Sequence, residues 1–262
     1  MTTTEDRRDR SRPFLEVKDL RRDFGGVWAV DGASFEAQAG CITALIGPNG
    51  AGKSTVVSLV GGALRPASGQ VILDGQDITA LEPHERARLG LVRTYQMSSE
   101  FGGLTVLENL LVGVPRQRGE RFRTLIYGKR YWREQEESEL VKALTLLDRF
   151  SMTEKKDEFA GNLSGGQKRL LEIMRSLMAE PRLLLLDEPM AGVNPTLARE
   201  VEGYLSALAS EGLTMLLIEH ELDVVERLCE SVVVMAQGHV IATGKMDELR
   251  TRTEVLNAYL AG

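Results

Sequence analysis

Cysteine is scarce in this chain, long apolar runs are missing, and there is no excess of basic charge. Cys41 and Cys229 are the only two cysteines in 262 residues. They lie far apart in the chain and match no metal-ligand spacing, so a disulfide framework and a structural zinc site are both excluded. They are expected to be buried thiols in a reducing compartment. No uncharged apolar stretch approaches the ~18–20 residues that cross a bilayer, so any membrane role must come through a partner. The formal net charge of −6 argues against a general nucleic-acid binder. The N-terminal MTTTEDRRDRSRP lacks the apolar core of a signal peptide, and residues 1–13 are expected to form a disordered tail. There is neither an internal repeat nor a low-complexity segment. What is left is 43% apolar and 27% charged, the composition of an ordinary globular chain.

Short apolar runs alternate with helical patterns over most of the length. FLEVKDL (Phe14–Leu20) alternates as a half-buried strand does, and CITALIG (Cys41–Gly47) reads as a buried strand ending in glycine. A helix is predicted over Lys53–Leu64, and a strand with a turn at Asp74-Gly75 over Gly69–Ile78. From Thr105 to about Ala160 the spacing is helical, as in an insertion. After it come a helix over Ser164–Glu180, a buried strand over Arg182–Glu188, and a helix over Pro195–Ser210 with Asn194 placed to cap it. LTMLLIEH reads as a buried strand, ELDVVERLCE as a short helix, and SVVVMA with HVIATG as a strand pair. This alternation implies an α/β fold whose mainly parallel sheet is covered on both faces.

Two stretches carry chemistry on their own terms. GPNGAGKS (Gly47–Ser54) fits the phosphate-loop pattern, placed between a strand and a helix as that pattern requires. Gly47, Gly50 and Gly52 let the backbone aim N–H groups at phosphates, and the helix N-terminus adds its positive end. Lys53 can reach the β and γ phosphates, and the Ser54 hydroxyl can ligate Mg²⁺. LLLLDE ends a buried strand in two carboxylates. Asp187 is placed to hold Mg²⁺, and Glu188 to orient a water and accept its proton.

LSGGQ (Leu163–Gln167), followed by KRLLEIMRSLMAEPRLLLLDEP, resembles the signature-to-Walker-B region of ATP-binding cassette (ABC) ATPases. The resemblance runs from Phe14 to Gly262 with its elements in family order. It implies a P-loop NTPase core with a mainly parallel sheet, an antiparallel β subdomain and a helical subdomain over about residues 97–165, all within a single domain 14–262. It identifies Gln96 of RTYQ as the Q-loop glutamine, a Mg²⁺ and γ-phosphate contact. AGVNP (Ala191–Pro195) matches the D-loop region, and His220 is the switch histidine. Phe24 stands where the family places an aromatic against adenine, with Trp28 a nearby competitor. The expected ATP contacts are Phe24, Gly47, Pro48, Asn49, Gly50, Ala51, Gly52, Lys53, Ser54 and Thr55. Ser164, Gly165, Gly166 and Gln167 are expected to meet ATP held by a second ATPase subunit, identical or homologous.

RTYQ with LTVLENLLVG, DEPMAGVNP, LIEHELD and the closing TEVLNAYLAG resemble the ATPase subunits of branched-chain amino acid importers. Some members of that branch carry a tyrosine inside the signature where this chain has Gly165. Urea and short-amide importers use similar subunits, and soluble cassettes such as those of iron–sulfur cluster assembly are the alternative of a different class. The resemblance implies transmembrane permeases as partners, an extracytoplasmic binding protein indirectly, no nucleic acid, and a peripheral place on the cytoplasmic face of the cell membrane. The stretch Arg116–Arg133 holds seven basic residues and one acid among aromatics. It reads either as a solvated loop paired with the acid-rich Glu134–Glu139 segment or as a contact for anionic lipid or the membrane subunit.

Overall fold

A computed structural model describes residues 13–94, 100–114 and 129–260, without side chains for 129–135 and 259–260. In chain order the first elements are β1 (Pro13–Phe24), β2 (Val27–Gln38), β3 (Ile42–Ile46), α1 (Lys53–Val60), β4 (Ser68–Leu73), β5 (Gln76–Asp77), α2 (Pro83–Arg88) and β6 (Leu91–Arg93). Next come α3 (Val106–Val112), α4 (Lys129–Arg149) and α5 (Gly165–Leu177). The chain then runs through β7 (Leu183–Asp187), α6 (Pro195–Ser210), β8 (Thr214–Ile218), α7 (Leu222–Leu228), β9 (Ser231–Ala236), β10 (His239–Gly244), α8 (Met246–Leu249) and α9 (Thr253–Leu260).

The chain divides into two compact units. The first takes the chain up to Arg93, together with Arg182–Pro189 and Leu205–Gly262. It holds a six-stranded sheet of order β10-β9-β3-β8-β7-β6. Every neighbouring pair in it is parallel except β9 with β10. Every residue of β3, β7 and β8 is buried, which is why these strands read as continuous apolar runs rather than alternating ones. The pleat sends neighbours on β3 to opposite sides. Leu45 joins a cluster with Leu15, Val57, Leu185 and Ile218, while Ala44 and Ile46 join Val225, Val232 and Val234.

A second, antiparallel sheet of order β2-β1-β4-β5 lies in the same unit. β1 extends well past the expected Phe14–Leu20, and β2 is not apparent as a strand from the sequence. Register shifts at Val17/Leu20 and Leu20/Arg21, with Asp19 at φ 46° and Gly32 at φ 76°, break the period-two pattern in both. The helix expected over Lys53–Leu64 stops at Val60. Gly61 caps it, Gly62 turns at φ 80°, and Arg86 donates to the carbonyls of Leu59 and Val60 at 2.7 and 2.6 Å. Cys41 and Cys229 form no disulfide, and they are half-buried rather than fully buried. Burial still pushes the Cys229 thiol far above its usual range, with Glu230 and Glu219 adding to the shift.

The second unit is Thr94–Pro181 with Met190–Tyr204, wider than the span of about 97–165 read from the sequence. It is helical. α3 opens with a capping box, in which Thr105 Oγ1 accepts from the Glu108 N–H and Glu108 Oε2 accepts from the Thr105 N–H. The buried Asn109 amide holds the incoming chain by accepting from the Phe101 N–H and donating to the carbonyls of Phe101 and Thr105. Phe150 and Tyr204 stack with ring centroids 4.5 Å apart. The basic stretch 116–133 falls largely outside the described residues.

Candidate nucleotide site

β3 ends at Ile46 and the chain turns through Gly47–Gly52 into α1. The three glycines serve two different needs. A Cβ on Gly47 would come within 2.1 Å of the Met235 carbonyl oxygen, and one on Gly52 within 2.3 Å of that of Ala29. Those two positions need glycine for close backbone approach as well as for φ values of 146° and 100°. Gly50, at φ 77°, has no atom within 4 Å of where a Cβ would stand, and needs glycine for conformation alone. Asn49 and Gly50 are exposed at the tip and Pro48 is half-buried. The Ala51 carbonyl accepts from the Gly238 N–H at 3.1 Å, which ties the loop to the turn after β9.

α1 begins at Lys53 with no side chain capping it, so its first N–H groups stay available to an anion. Ser54 is exposed on this first turn and Thr55 half-buried. Lys53 is 6% exposed and arches over its own loop, donating to the carbonyls of Gly47 at 2.7 Å and Pro48 at 2.9 Å. Burial lowers its pKa, against the opposing pull of Glu188 and Asp187. An ammonium held among carbonyl oxygens with two carboxylates nearby is a ready partner for phosphate.

Asp187 closes β7 and is 2% exposed, with Oδ2 3.4 Å from Arg93 Nη2. Glu188 follows at φ 49°, a left-handed conformation rare outside glycine and one that costs of order 1–3 kcal/mol. Its N–H still donates to the Ile218 carbonyl at 3.0 Å, so the backbone turns while anchored to β8. The turn brings Glu188 Oε1 to 2.8 Å from His220 Nε2, across the ends of two adjacent parallel strands. The His220 N–H donates to Glu219 Oε2 at 3.1 Å. Phosphate loop, Asp187, Glu188 and His220 thus all sit at the carboxyl ends of parallel strands, where open α/β sheets bind ligands.

On the hairpin of β1 and β2, Phe24 pairs with Val27 and Asp23 with Trp28, so Phe24 and Trp28 point to opposite faces. Both rings are about half exposed, and the Arg22 guanidinium covers one face of Phe24 at 5.2 Å from the centroid. Gln96 lies outside the described residues.

The signature stretch belongs to the helical unit. Ser164 is the N-cap of α5, accepting from the Gln167 N–H at 3.3 Å, while Gln167 Oε1 accepts from the Ser164 N–H at 3.0 Å. That capping box is written in the sequence as Ser-x-x-Gln. A Cβ on Gly166 would meet Leu197 Cδ2 at 2.2 Å, the far end of a side chain that can turn away. Gly165 has no neighbour within 4 Å of such an atom. Asn194 caps α6 as expected, accepting from the Leu197 N–H at 3.0 Å.

A strand, a glycine loop and a helix presenting lysine and serine, with Asp-Glu ending a neighbouring strand, define a P-loop nucleotide-binding ATPase. Two such features with LSGGQ at a helix start narrow the class further. The chain belongs to the ABC transporter family, whose model matches residues 30–191, and it is an ATP-binding cassette ATPase. It is 39% identical over 94% of its length to a probable branched-chain amino acid transport ATP-binding protein LivG of Archaeoglobus fulgidus, covering 95% of that protein. It is also 39% identical, over 95% of its length, to the high-affinity branched-chain amino acid transport ATP-binding protein BraF of Pseudomonas aeruginosa, covering 98% of that protein. A solved ATP-binding cassette of an ABC transporter in its ADP conformation superposes with a TM-score of 0.83 at 37% identity, over 96% of this chain and all of the other.

Proposed function

We propose that this chain is the ATP-hydrolysing subunit of an ABC importer for branched-chain or other amino acids. The observation that carries the reading is full-length similarity at 39% identity to two proteins named for branched-chain amino acid transport. Lys53 leaves the carbonyls of Gly47 and Pro48 for the β and γ phosphates, and the N–H groups of Gly50 to Thr55 surround them. Adenine stacks on Phe24. Glu188 orients the attacking water and takes its proton, with His220 holding the carboxylate in place.

Among the described residues no group of three or more His, Cys, Asp or Glu is placed to hold a metal ion. That fits Mg²⁺, which binds through one or two protein oxygens and the substrate's phosphates rather than in a protein cage. The exposed Ser54 hydroxyl and the buried Asp187 carboxylate are the two hard oxygen donors here, with Gln96 as a third by family resemblance. When bound, the ion neutralises charge on the β and γ phosphates.

The site is completed by a second ATPase subunit, identical or homologous, whose Ser164, Gly165, Gly166 and Gln167 approach the γ-phosphate from the other side. Among the described residues no helix is long and apolar enough to cross a membrane. Attachment to the cytoplasmic face therefore goes through permease subunits, and the binding protein acts through them. Affinity purification from native membranes tests the reading. Polytopic permeases that, with this chain, drive ATP-dependent uptake of leucine, isoleucine or valine into proteoliposomes would support it. Uptake of urea or short amides instead, or recovery of soluble partners alone, would overturn it.

A further inference from the structure

We infer that Arg93 is a positioning residue that ties Asp187 to the phosphate-loop helix, so that the two oxygen donors on the metal side of the site move as one. The inference rests on the reading of Asp187 and Ser54 as that pair. Arg93 is the last residue of β6, pairs with Leu185 of β7, and stands just ahead of Gln96 in the chain. Its side chain is 14% exposed. A Cβ on Gly61 would lie 3.5 Å from Arg93 Cδ, so the arginine stem passes close over the end of α1.

The guanidinium reaches two different elements. Nη2 lies 3.4 Å from Asp187 Oδ2, and Nη1 donates to Ser58 Oγ at 3.0 Å. Ser58 in turn donates its hydroxyl proton to the Ser54 carbonyl at 2.6 Å, one turn back along α1. The result is a continuous path, Asp187–Arg93–Ser58–Ser54, which ends on the Ser54 backbone carbonyl and whose two middle side chains need not touch nucleotide. Groups that hold a metal's ligands in place contribute about 10–100-fold to metal affinity. The guanidinium holds its donors in a rigid fork aimed at both partners at once, whereas a lysine ammonium is a compact point charge whose three rotatable donors fix no such geometry.

The sign of the effect separates positioning from plain electrostatics. Arg93 is a cation, and by charge alone its removal would strengthen metal binding. If it positions the donors, its removal weakens metal binding. The test uses the full chain with ADP, which avoids turnover, and follows Mn²⁺ binding to the ADP complex by electron paramagnetic resonance. Arg93→Met is expected to raise the half-saturating Mn²⁺ about tenfold, with ADP affinity in EDTA unchanged. Arg93→Lys is expected to stay near the Met variant. Ser58→Ala, which cuts only the α1 arm, is expected to shift Mn²⁺ in the same direction by a smaller factor, and it decides the matter alone if the Arg93 variants do not fold. Unchanged or tighter Mn²⁺ binding in folded variants, or full recovery in Arg93→Lys, overturns the inference. Asp187→Asn is the control for the underlying reading. If it too leaves Mn²⁺ binding unchanged, that reading fails; if it weakens binding while Arg93→Met does not, only the bridge fails.

Discussion

Replacing Arg86 with methionine keeps the stem of the side chain and removes its guanidinium, and the structure sets what that costs. Arg86 is 1% exposed and donates to four backbone carbonyls. Nη1 reaches Leu59 and Val60 at the C-terminal end of α1, Nη2 reaches Thr79, and Nε reaches Leu81. Each hydrogen bond to a charged group contributes about 1.5–3 kcal/mol, so the four together give roughly 6–12 kcal/mol. Burying the guanidinium offsets several kcal/mol of this. That burial also lowers its pKa, against Glu82 and Asp77. Losing the cation leaves carbonyls short of a donor, and the net destabilisation is expected to be about 3–5 kcal/mol. At about 2–4 °C per kcal/mol for a chain near this size, Tm should fall by roughly 6–20 °C. Differential scanning calorimetry reads the shift, and hydrogen exchange should show the Gly61 and Leu64 amides losing protection first. Arg86→Lys should recover less than half, because one ammonium cannot reach carbonyls on both sides. A loss below about 1 kcal/mol, or exchange that quickens evenly over the chain, would refute the reasoning.

Glu188→Gln should bind ATP as the wild type does, lose at least about 100-fold in turnover and accumulate as an ATP-held dimer on size-exclusion chromatography; wild-type turnover would remove Glu188 as the base. Lys53→Ala should weaken ATP binding itself in a fluorescent-nucleotide titration, and an unchanged affinity would end its phosphate role. Gly50→Ala should cost only the about 1–2 kcal/mol of a left-handed residue, whereas Gly47→Ala also drives a Cβ into the Met235 carbonyl and should abolish binding or folding; equal effects in a melting assay would contradict the geometry. The Glu108 carboxyl is held below its usual range by the Thr105 N–H and hydroxyl. Its stabilising share is therefore complete above the unfolded value of about 4.3 and is lost as pH falls through the lower folded value. Urea titrations below pH 5 should show wild type losing stability more steeply than Glu108→Gln, and parallel curves would argue otherwise.

Features coded within a few residues are legible in the sequence, and features made by distant residues are not. β3, β7 and β8 announce themselves because burial on both faces leaves only apolar residues. The phosphate loop and Asp187-Glu188 are readable because each lies at a strand end that the sequence marks. β2 is hidden, because Gly32 and the bulges opposite it break the alternation. The end of α1 falls a few residues short of its predicted place because Arg86, far along the chain, takes its last carbonyls. Arg93 carries no signal of its own, since an arginine ending a strand gains meaning only when Ser58 and Asp187 are brought beside it. The opposite facing of Phe24 and Trp28 likewise depends on pairing register, which spacing alone does not give.

The parallel ladder through β3, β8 and β7 works as a ruler for the chemistry. Leu45 and Asp187 both sit level with Ile218, so the carboxylates and the start of the phosphate loop are measured from one rung. A strand advances about 3.3 Å per residue and reverses its side chains at each step. One residue inserted into β7 would therefore move Glu188 away from His220 by a full step and turn Asp187 to the opposite face. The opposite ends of these strands carry no such constraint, since length added there leaves the rung in place. Insertion scanning should find the two edges of the same sheet unequal: tolerant where the strands begin, and devoid of activity where they end.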